Sequence, residues 1–382
     1  MDFSQLADLP LIDSHIHYGH PSYMPGLMDI LNHIGVDRFN VVCTPHETRL
    51  SLVPDALHLK AHFPDRVYVF GGMDISALFI APEQVGAIFA DYVDTLLALG
   101  CDGVRMIEGK PNIRKMLPIP PFDSETYAAY WARLAEREMP VIFHVNDPEE
   151  FWDSARAPEW AREQGWSYSD GSFVNNEAQY AEVLNVLERH PNLKIIFAHF
   201  FFLSAQLPRL AEILDRYPNV CVDLTPGVEM YYNFSAAPEA AREFFFEYQD
   251  RIVYGTDIGA KALLSTPEEG IEMEESRTRA YLVRAFLETE GEFQLPEGGF
   301  LLRGREALLR GIGLPRPALE KIYSQNFERL AGRRPRQLNP AAIVAECDRL
   351  TTMIGIIGAA QPGEPGDPSV AQMVKSFFQS KM

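Results

Sequence analysis

The feature that most constrains the fold of this chain is an eightfold alternation of short apolar runs with longer segments of helical periodicity. Branched and aromatic residues dominate the short runs, which indicates buried β-strands. Strands that alternate with helices are typical of a parallel sheet, and eight such units favour a closed (β/α)8 barrel over an open sheet. The runs cover residues 11–17, 38–44, 67–73, 103–107, 140–145, 194–199, 220–225 and 252–257.

The segments between the runs carry apolar residues three or four positions apart, the spacing of one face of an α-helix. Two examples are residues 124–138 and residues 206–217. The turn after the first run, residues 17–21, lacks the G-x-G-x-x-G pattern that opens dinucleotide-binding open sheets. The predicted apolar faces are Tyr127, Tyr130, Trp131 and Leu134 in the first helix, and Leu207, Leu210, Ile213 and Leu214 in the second.

Two connections are much longer than the others, and both follow the carboxyl end of a strand. Residues 146–176 follow the fifth run, and residues 258–315 follow the eighth. Barrel enzymes build their active sites from such connections. The first connection is rich in aromatic residues, which either pack as a small cluster on the barrel or line a pocket. Trp152 in this connection is therefore a candidate substrate contact.

The end of the chain has a different pattern from the barrel. We predict a barrel domain over residues 1–335 and a helical extension over residues 336–382. Within the extension, residues 340–353 have the pattern of an amphipathic helix, residues 361–368 are a Pro/Gly linker, and a short helix follows. The apolar helix predicts docking on a neighbouring subunit, and hence a homo-oligomer.

Composition excludes several classes of partner. The 382 residues include 34 Lys and Arg against 53 Asp and Glu, a formal net charge of −19, so binding to nucleic acid or to an anionic membrane is not expected. The four cysteines are far apart and form no C-x-x-C pair, which predicts free thiols in a reducing compartment. The first residues show no signal peptide and no run approaches a membrane span, so a cytoplasmic location is expected.

Polar residues with metal-binding chemistry stand where the predicted strands end. His15 and His17 lie two positions apart in the first run, so they share a face of the strand. His144 ends the fifth run, His199 the sixth and Asp257 the eighth, and four of only ten histidines are thus at strand ends. Parallel strand ends project onto one rim of a barrel. Imidazoles with one carboxylate suit zinc, iron or manganese, so we predict a divalent metal site there.

This pattern resembles the amidohydrolase superfamily, and in particular the amidohydrolase 2 family of metal-dependent barrel hydrolases and decarboxylases. The resemblance covers roughly residues 9–333 and is specific for fold and metal, not for substrate. The motifs that carry it are Ile12-Asp13-Ser14-His15-Ile16-His17, Phe197-Ala198-His199, Tyr254-Gly255-Thr256-Asp257, and Ile322-Tyr323-Ser324-Gln325-Asn326-Phe327-Glu328-Arg329-Leu330.

The resemblance implies a role for each of these residues. His15, His17 and His144 resemble metal ligands, and Asp257 resembles a ligand that also handles the proton of water. His199 resembles an acid/base residue beside a single metal, or a ligand of the second metal in binuclear members. The expected cofactor is one divalent ion, zinc in the first place, with manganese and iron as alternatives.

The fourth predicted strand departs from the family pattern. Binuclear members carry a bridging carboxylated lysine at its end, but here Arg105 stands at the corresponding place, with Glu108 and Lys110 just beyond. A single metal is therefore favoured, and bridging by Lys110 or Glu108 is the alternative. Arg105 either holds a substrate carboxylate with its forked guanidinium or pairs with a barrel carboxylate such as Asp223.

Two further residues are candidates for the pocket. His46 and Arg49 follow the second predicted strand and would lie at the same rim, although ordinary loop polarity is the better explanation for them. The expected partner is a small molecule, and the sequence does not specify which one.

Three functions remain open at this point. The first is hydrolysis of an amide, ester or lactone by metal-activated water. The second is non-oxidative decarboxylation of an aromatic or unsaturated acid, and the third is a metal-binding barrel without catalysis. Hydrolysis is favoured because the His-x-His pair is complete, whereas some decarboxylase relatives have Glu first, and because Asp257 is present.

Overall fold

The eight predicted strands form one parallel sheet in which each strand pairs with the next along the chain. The computed structural model describes residues 3–227, 229–264, 270–295, 308–360 and 366–382. The strands are β1 (Ile12–Ile16), β2 (Arg38–Val42), β3 (Val67–Gly72), β4 (Gly103–Gly109), β5 (Val141–Val145), β6 (Ile195–Phe197), β7 (Val220–Asp223) and β8 (Ile252–Val253).

The sheet closes into a barrel between β1 and the segment that follows β8. The amide of Ser14 donates to the carbonyl of Tyr254 at 2.9 Å, and the amide of Asp257 donates to the carbonyl of His15 at 2.9 Å. The two segments lie so close that a Cβ on Gly259, where φ is +86°, would be 2.2 Å from the carbonyl oxygen of His17. Glycine at this position is therefore required for closure.

Helices connect the strands and cover the outside of the barrel. Short antiparallel pairs are formed by Pro45–His46 with Leu50–Ser51 and by Glu290–Phe293 with Leu309–Ile312. The α-helices of the described residues are α1 (Met24–Ile34), α2 (Val53–His62), α3 (Ala77–Ile80), α4 (Val85–Leu99), α5 (Pro111–Met116), α6 (Glu125–Glu136), α7 (Glu159–Glu163), α8 (Asn176–Arg189), α9 (Leu207–Arg216), α10 (Met230–Ala236), α11 (Pro238–Glu247), α12 (Met273–Glu288), α13 (Arg316–Glu320), α14 (Asn326–Ala331), α15 (Pro340–Ala360) and α16 (Ser369–Gln379).

Two apolar layers hold the barrel together, one inside the sheet and one between the sheet and the helices. The predicted faces of the two example helices are buried in the outer layer, except that Leu207 is only partly buried. The inner layer fills the barrel below the site and contains Ile12, Val42, Tyr68, Phe70, Ile142, Ile196, Ala198, Cys221, Val253, Phe327 and Leu330. The fold prediction is thus confirmed, and the core leaves the carboxyl rim of the barrel to the polar residues.

Regular strand pairing ends earlier than the apolar runs predict. The run 194–199 contains a strand only over Ile195–Phe197, and the run 252–257 only over Ile252–Val253. His199 and Asp257 have φ values of 54° and 62°, which a β-strand cannot accommodate. The polar residues at these run ends therefore leave the sheet.

The helical extension packs on the barrel of its own chain. The hydroxyl of Tyr92 in α4 donates to Glu346 in α15 at 3.0 Å. The ring of Phe377 in α16 lies 4.7 Å from that of His58 and 5.1 Å from that of His62, both in α2. The predicted helix 340–353 is observed and continues to residue 360. Docking of the extension on a neighbouring subunit remains a prediction.

Three smaller predictions concern the remaining parts of the chain. Residues 361–365 of the predicted linker, and residues 265–269 and 296–307 of the long second connection, lie outside the described residues. None of the helices in the described part of the chain is long and apolar enough to cross a membrane. All four cysteines are free and buried: Cys43, Cys101, Cys221 and Cys347.

Candidate metal centre

A bulge in β1 aims both histidines of the His-x-His pair at the rim. Between Asp13 and Ile16 the strand gains one residue relative to β2. Ile12 accordingly packs inside the barrel, whereas Ile16, an even number of positions later, packs in the outer layer. Bulges often redirect side chains next to functional sites. His15 and His17 are buried, and their ring centroids are 5.3 Å apart.

Asp257, in the segment that follows β8, meets both histidines. Its Oδ1 lies 3.1 Å from Nε2 of His17 and 3.7 Å from Nε2 of His15. Among the described residues, these three side chains form a group whose ligand atoms all lie within 4.8 Å of one another. The first strand and the segments that directly follow the first and last strands thus bring together three of the predicted site residues.

His199 comes to the same rim through a strained turn after β6. It is followed by three more residues with left-handed backbone, so that φ lies at 54°, 56°, 58° and 53° over residues 199–202. Left-handed helical backbone costs roughly 1–2 kcal/mol per non-glycine residue, and such strain is concentrated at functional sites. The His199 ring centroid lies 5.8 Å from that of His15 and 4.8 Å from that of His144.

His144, the fourth residue of β5, stands next to His199 but outside the group of three. Its Nε2 lies 3.3 Å from Oδ1 of Asp147. Asp147 is held in turn by Nζ of Lys110, at 2.7 and 2.8 Å from its two oxygens, and by the hydroxyl of Tyr168. The position of His144 is therefore set by a carboxylate from the aromatic-rich connection.

Each of the four histidines has one buried ring nitrogen without a hydrogen-bond partner among the described residues. Nε2 of His15 and Nδ1 of His17, His144 and His199 are buried and have no hydrogen-bond partner among the described residues. For His15 and His144 the other ring nitrogen faces a carboxylate, Asp223 or Asp147. Metal-binding histidines almost always donate their second N–H in this way. Imidazole nitrogens with one carboxylate are a donor set for zinc and similar divalent ions.

The electrostatics of the cluster suit metal binding as well. Burial lowers the pKa of His17 and of His144 to about 4, and burial together with His144 lowers the pKa of His199 to about 3. Although burial opposes it, hydrogen bonding to His17 and the charge of Arg279 hold the pKa of Asp257 well below its ordinary value. Neutral imidazoles and an ionised carboxylate are the protonation states that metal ligands require.

Two residues of the site were not assigned to it from the sequence. Oδ2 of Asp223, the last residue of β7, lies 2.8 Å from Nδ1 of His15. Arg279 of α12 donates from Nη1 to Oδ2 of Asp257 at 3.2 Å and is anchored by Glu275. For Asp223 the sequence does carry a signal, a carboxylate within the apolar run 220–225. Arg279 carries only an i, i+4 charge pair with Glu275, which is common on helix surfaces.

Arg105 of β4 points into the barrel below these residues. It is 2 % exposed, and its Nε and Nη1 have no hydrogen-bond partner among the described residues. It also lacks an ion pair within the described part of the chain, whereas Asp223 pairs with His15. Burial lowers the pKa of Arg105 to about 10, so it stays charged at neutral pH.

Lys110 and Glu108, the two candidates for a residue that bridges two metal ions, lie in different surroundings. Lys110 forms an ion pair with Asp147 and its Nζ lies 4.6 Å from the centroid of the Trp166 ring. Glu108 is buried within a second bulge, between Met106 and Gly109, and neither carboxylate oxygen has a hydrogen-bond partner among the described residues. Neither residue belongs to the group of three.

The remaining candidates make local contacts. Nδ1 of His46, in the short antiparallel pair after β2, accepts from the amide of Thr48 at 3.3 Å, and Arg49 pairs with Asp55 at 2.7 Å. Trp152 packs in a cluster of aromatic residues from the long connection, with its ring centroid 4.8 Å from that of Tyr168. This cluster is the small aromatic core that was one of the two roles predicted for the connection 146–176.

Three solved structures that align with this chain carry different names. A putative amidohydrolase from Staphylococcus aureus aligns with 85% of this chain and 100% of its own at 14% identity, with a TM-score of 0.52. An alignment with a probable 2-pyrone-4,6-dicarboxylic acid hydrolase from Acinetobacter baumannii covers 85% of this chain and 100% of that protein, at 14% identity and a TM-score of 0.48. An alignment with a 5-carboxyvanillate decarboxylase from Novosphingobium aromaticivorans, complexed with manganese, covers 85% of this chain and 96% of that protein, at 14% identity and a TM-score of 0.49.

Sequence comparison gives the family. No curated protein matches the chain. The family model Amidohydro_2, described as amidohydrolase, matches residues 74–330, which is more than half of the chain. This range contains His144, His199 and Asp257, while His15 and His17 precede it. The chain belongs to the amidohydrolase 2 family.

Proposed function

We propose that this protein is a metal-dependent hydrolase that cleaves an amide, ester or lactone bond of a small substrate bearing a carboxylate. The observation that carries the proposal is the convergence of His15, His17 and Asp257 at the carboxyl rim. His144 and His199 complete the proposed site, because each presents a buried ring nitrogen without a partner among the described residues. Membership of the amidohydrolase 2 family supports an enzymatic role.

A bound divalent ion, zinc in the first place, would supply Lewis-acid activation of water and of a substrate carbonyl. His15, His17, His144 and Asp257 would hold it. His199 is neutral at neutral pH, because burial and the neighbouring His144 lower its pKa to about 3, and its buried Nδ1, without a partner among the described residues, would be available for proton transfer. Asp257 can share this role through its carboxylate. General acid–base groups of this kind contribute about 10²–10⁴-fold to a rate.

Arg105 provides the argument for the substrate class. A guanidinium that is buried, charged and without an ion pair among the described residues is costly to keep in a barrel. A substrate carboxylate would compensate it through the bidentate geometry that arginine favours. We therefore assign Arg105 to substrate binding, and this assignment applies to hydrolysis and to decarboxylation alike.

Decarboxylation is the second candidate, and one observation favours it. Oδ2 of Asp257 accepts from Arg279, and its Oδ1 lies close to two histidines. The carboxylate can therefore take a proton from water only by giving up one of these contacts, a step that hydrolysis needs and decarboxylation does not. Hydrolysis remains the first candidate because His199 can serve as the acceptor.

Metal analysis of the purified protein tests the site. We expect close to one divalent ion per chain, lost in His15→Ala and in His144→Ala. His33→Ala removes an exposed histidine of α1 and is the matched control, which should keep the ion. Nearly two ions per chain would contradict the mononuclear assignment, and retention of the ion in His15→Ala would contradict the site.

Turnover of candidate lactones, amides and aromatic acids in ¹⁸O-labelled water separates the reactions. Hydrolysis places the label in a new product carboxylate. Release of carbon dioxide with a solvent proton on carbon, and no label in the product, identifies decarboxylation. A metal-loaded protein that turns over no member of the panel would support the third candidate, a barrel that binds metal without catalysis.

A further inference from the structure

Asp223 connects His15 of β1 with His199 of the turn after β6, although it lies on a third strand, β7. It ends β7 and is fully buried. Its two oxygens have different partners. Oδ2 lies 2.8 Å from Nδ1 of His15, and Oδ1 accepts from the amide of His199 at 2.8 Å and from that of Thr225 at 3.1 Å.

The first contact decides which nitrogen of His15 carries the proton. A carboxylate oxygen only accepts, so Nδ1 of His15 must donate to Asp223. Nε2 then has a free lone pair, and this nitrogen is the one without a hydrogen-bond partner, on the side of Asp257. Asp223 thus presents His15 in the tautomer that a metal requires.

The second contact holds the backbone where the strained turn begins. His199 is the first of four consecutive residues with positive φ. Backbone in this region persists only where the surrounding structure imposes it. The hydrogen bond from the His199 amide to Asp223 is an anchor of this kind, because Asp223 itself is held rigidly at the end of a barrel strand.

We propose that Asp223 is a positioning residue that orients His15 toward the metal and fixes the backbone of His199 beside it. This inference rests on the proposed function, since it assigns the metal to His15 and proton transfer to His199. Both roles need an acceptor oxygen, and a carboxylate has two. An asparagine has one, so Asp223→Asn must turn its amide NH₂ either toward Nδ1 of His15 or toward the backbone amides of His199 and Thr225.

A merely structural link between strands would predict a different outcome. It would lower the stability of Asp223→Asn without changing the zinc affinity of the folded protein or the tautomer of His15. Asp102 offers a matched control, because it is also buried and its two oxygens accept from the backbone amides of Arg336 and Val69 away from the rim. Asp102→Asn should lose stability and keep its zinc affinity.

The experiment measures zinc affinity of the full-length protein by competition with a chromophoric chelator. For Asp223→Asn we expect binding about 10–100-fold weaker than wild type, the usual effect of removing a partner of a metal-binding histidine. Equal affinity in the two proteins would overturn the inference while leaving the proposed metal site intact. Failure of the wild type to bind zinc, manganese or iron would instead overturn the proposed function.

A second measurement needs no variant of Asp223 and remains decisive if Asp223→Asn does not fold. Long-range ¹H–¹⁵N spectra of the metal-free wild type report the tautomer of each histidine, with His15 assigned by the signal missing in His15→Gln. We expect the proton of His15 on Nδ1. A proton on Nε2 would overturn the inference whatever the metal affinity.

Discussion

Replacing Glu108 by glutamine should make the protein more stable at alkaline pH, by an amount that the structure allows us to work out. Glu108 is 2 % exposed, and neither of its carboxylate oxygens has a hydrogen-bond partner among the described residues. Burial raises the pKa of Glu108 from 4.5 to about 7, and the dipoles of the backbone amides of Glu108 and Ile107, together with the charge of Arg105, only partly oppose this. The folded protein therefore has to carry an ionised, buried carboxylate above pH 7.

The sign of the effect follows from proton binding. Between pH 4.5 and about 7 the folded state keeps the proton on Glu108, whereas the unfolded state has lost it. The free energy of unfolding therefore falls as pH rises through this range. A pKa shift of one unit corresponds to about 1.4 kcal/mol. The shift from 4.5 to about 7 therefore lowers the free energy of unfolding by about 3 kcal/mol above pH 7.

Glu108→Gln keeps the size and polarity of the side chain but cannot ionise. We expect the difference in unfolding free energy between variant and wild type to grow by about 3 kcal/mol in favour of the variant from pH 4.5 to pH 8. Urea unfolding of the metal-free proteins, followed by tryptophan fluorescence, measures this difference at each pH. Contributions from other titrating groups cancel because they are common to both proteins.

Glu243→Gln removes an exposed carboxylate of α11 and is the matched control for the loss of one negative charge. A constant difference for Glu108→Gln over the same range would refute the reasoning, because it would mean that Glu108 ionises in the folded protein as it does in water.

Three further outcomes are expected from the contacts described above. Asp257→Asn should lower turnover by about 10²–10⁴-fold, because an amide cannot take a proton, and unchanged turnover in steady-state assays would exclude the role of Asp257. In the wild type, Asp102 is buried with Oδ2 2.6 Å from Nζ of Lys60. Lys60→Met leaves this carboxylate without its cation and should lower the free energy of unfolding by about 3–5 kcal/mol in urea titrations. Truncation after residue 335 should leave zinc binding intact but lower the melting temperature, since α15 and α16 pack on the barrel; a change in mass by light scattering would report the predicted role in oligomerisation.

The sequence determined the barrel and the identity of the residues at its rim. Eight apolar runs alternating with helical segments predict a parallel closed sheet, because each strand needs a crossover helix and both faces of the sheet must be covered. Since the carboxyl ends of such strands share one rim, His15, His17 and Asp257 could be placed together from their positions alone. This part of the prediction depends only on local patterns and on the geometry of parallel strands.

The tertiary structure decided how these residues are aimed and held. The bulge in β1, which turns His15 toward the rim, arises from pairing with β2 and leaves no periodic signal in the sequence. The left-handed turn at His199 is likewise stabilised by Asp223, which lies 24 residues away along the chain. Asp223 and Arg279 act through contacts between distant segments, and such contacts depend on three-dimensional packing that residue spacing alone does not encode.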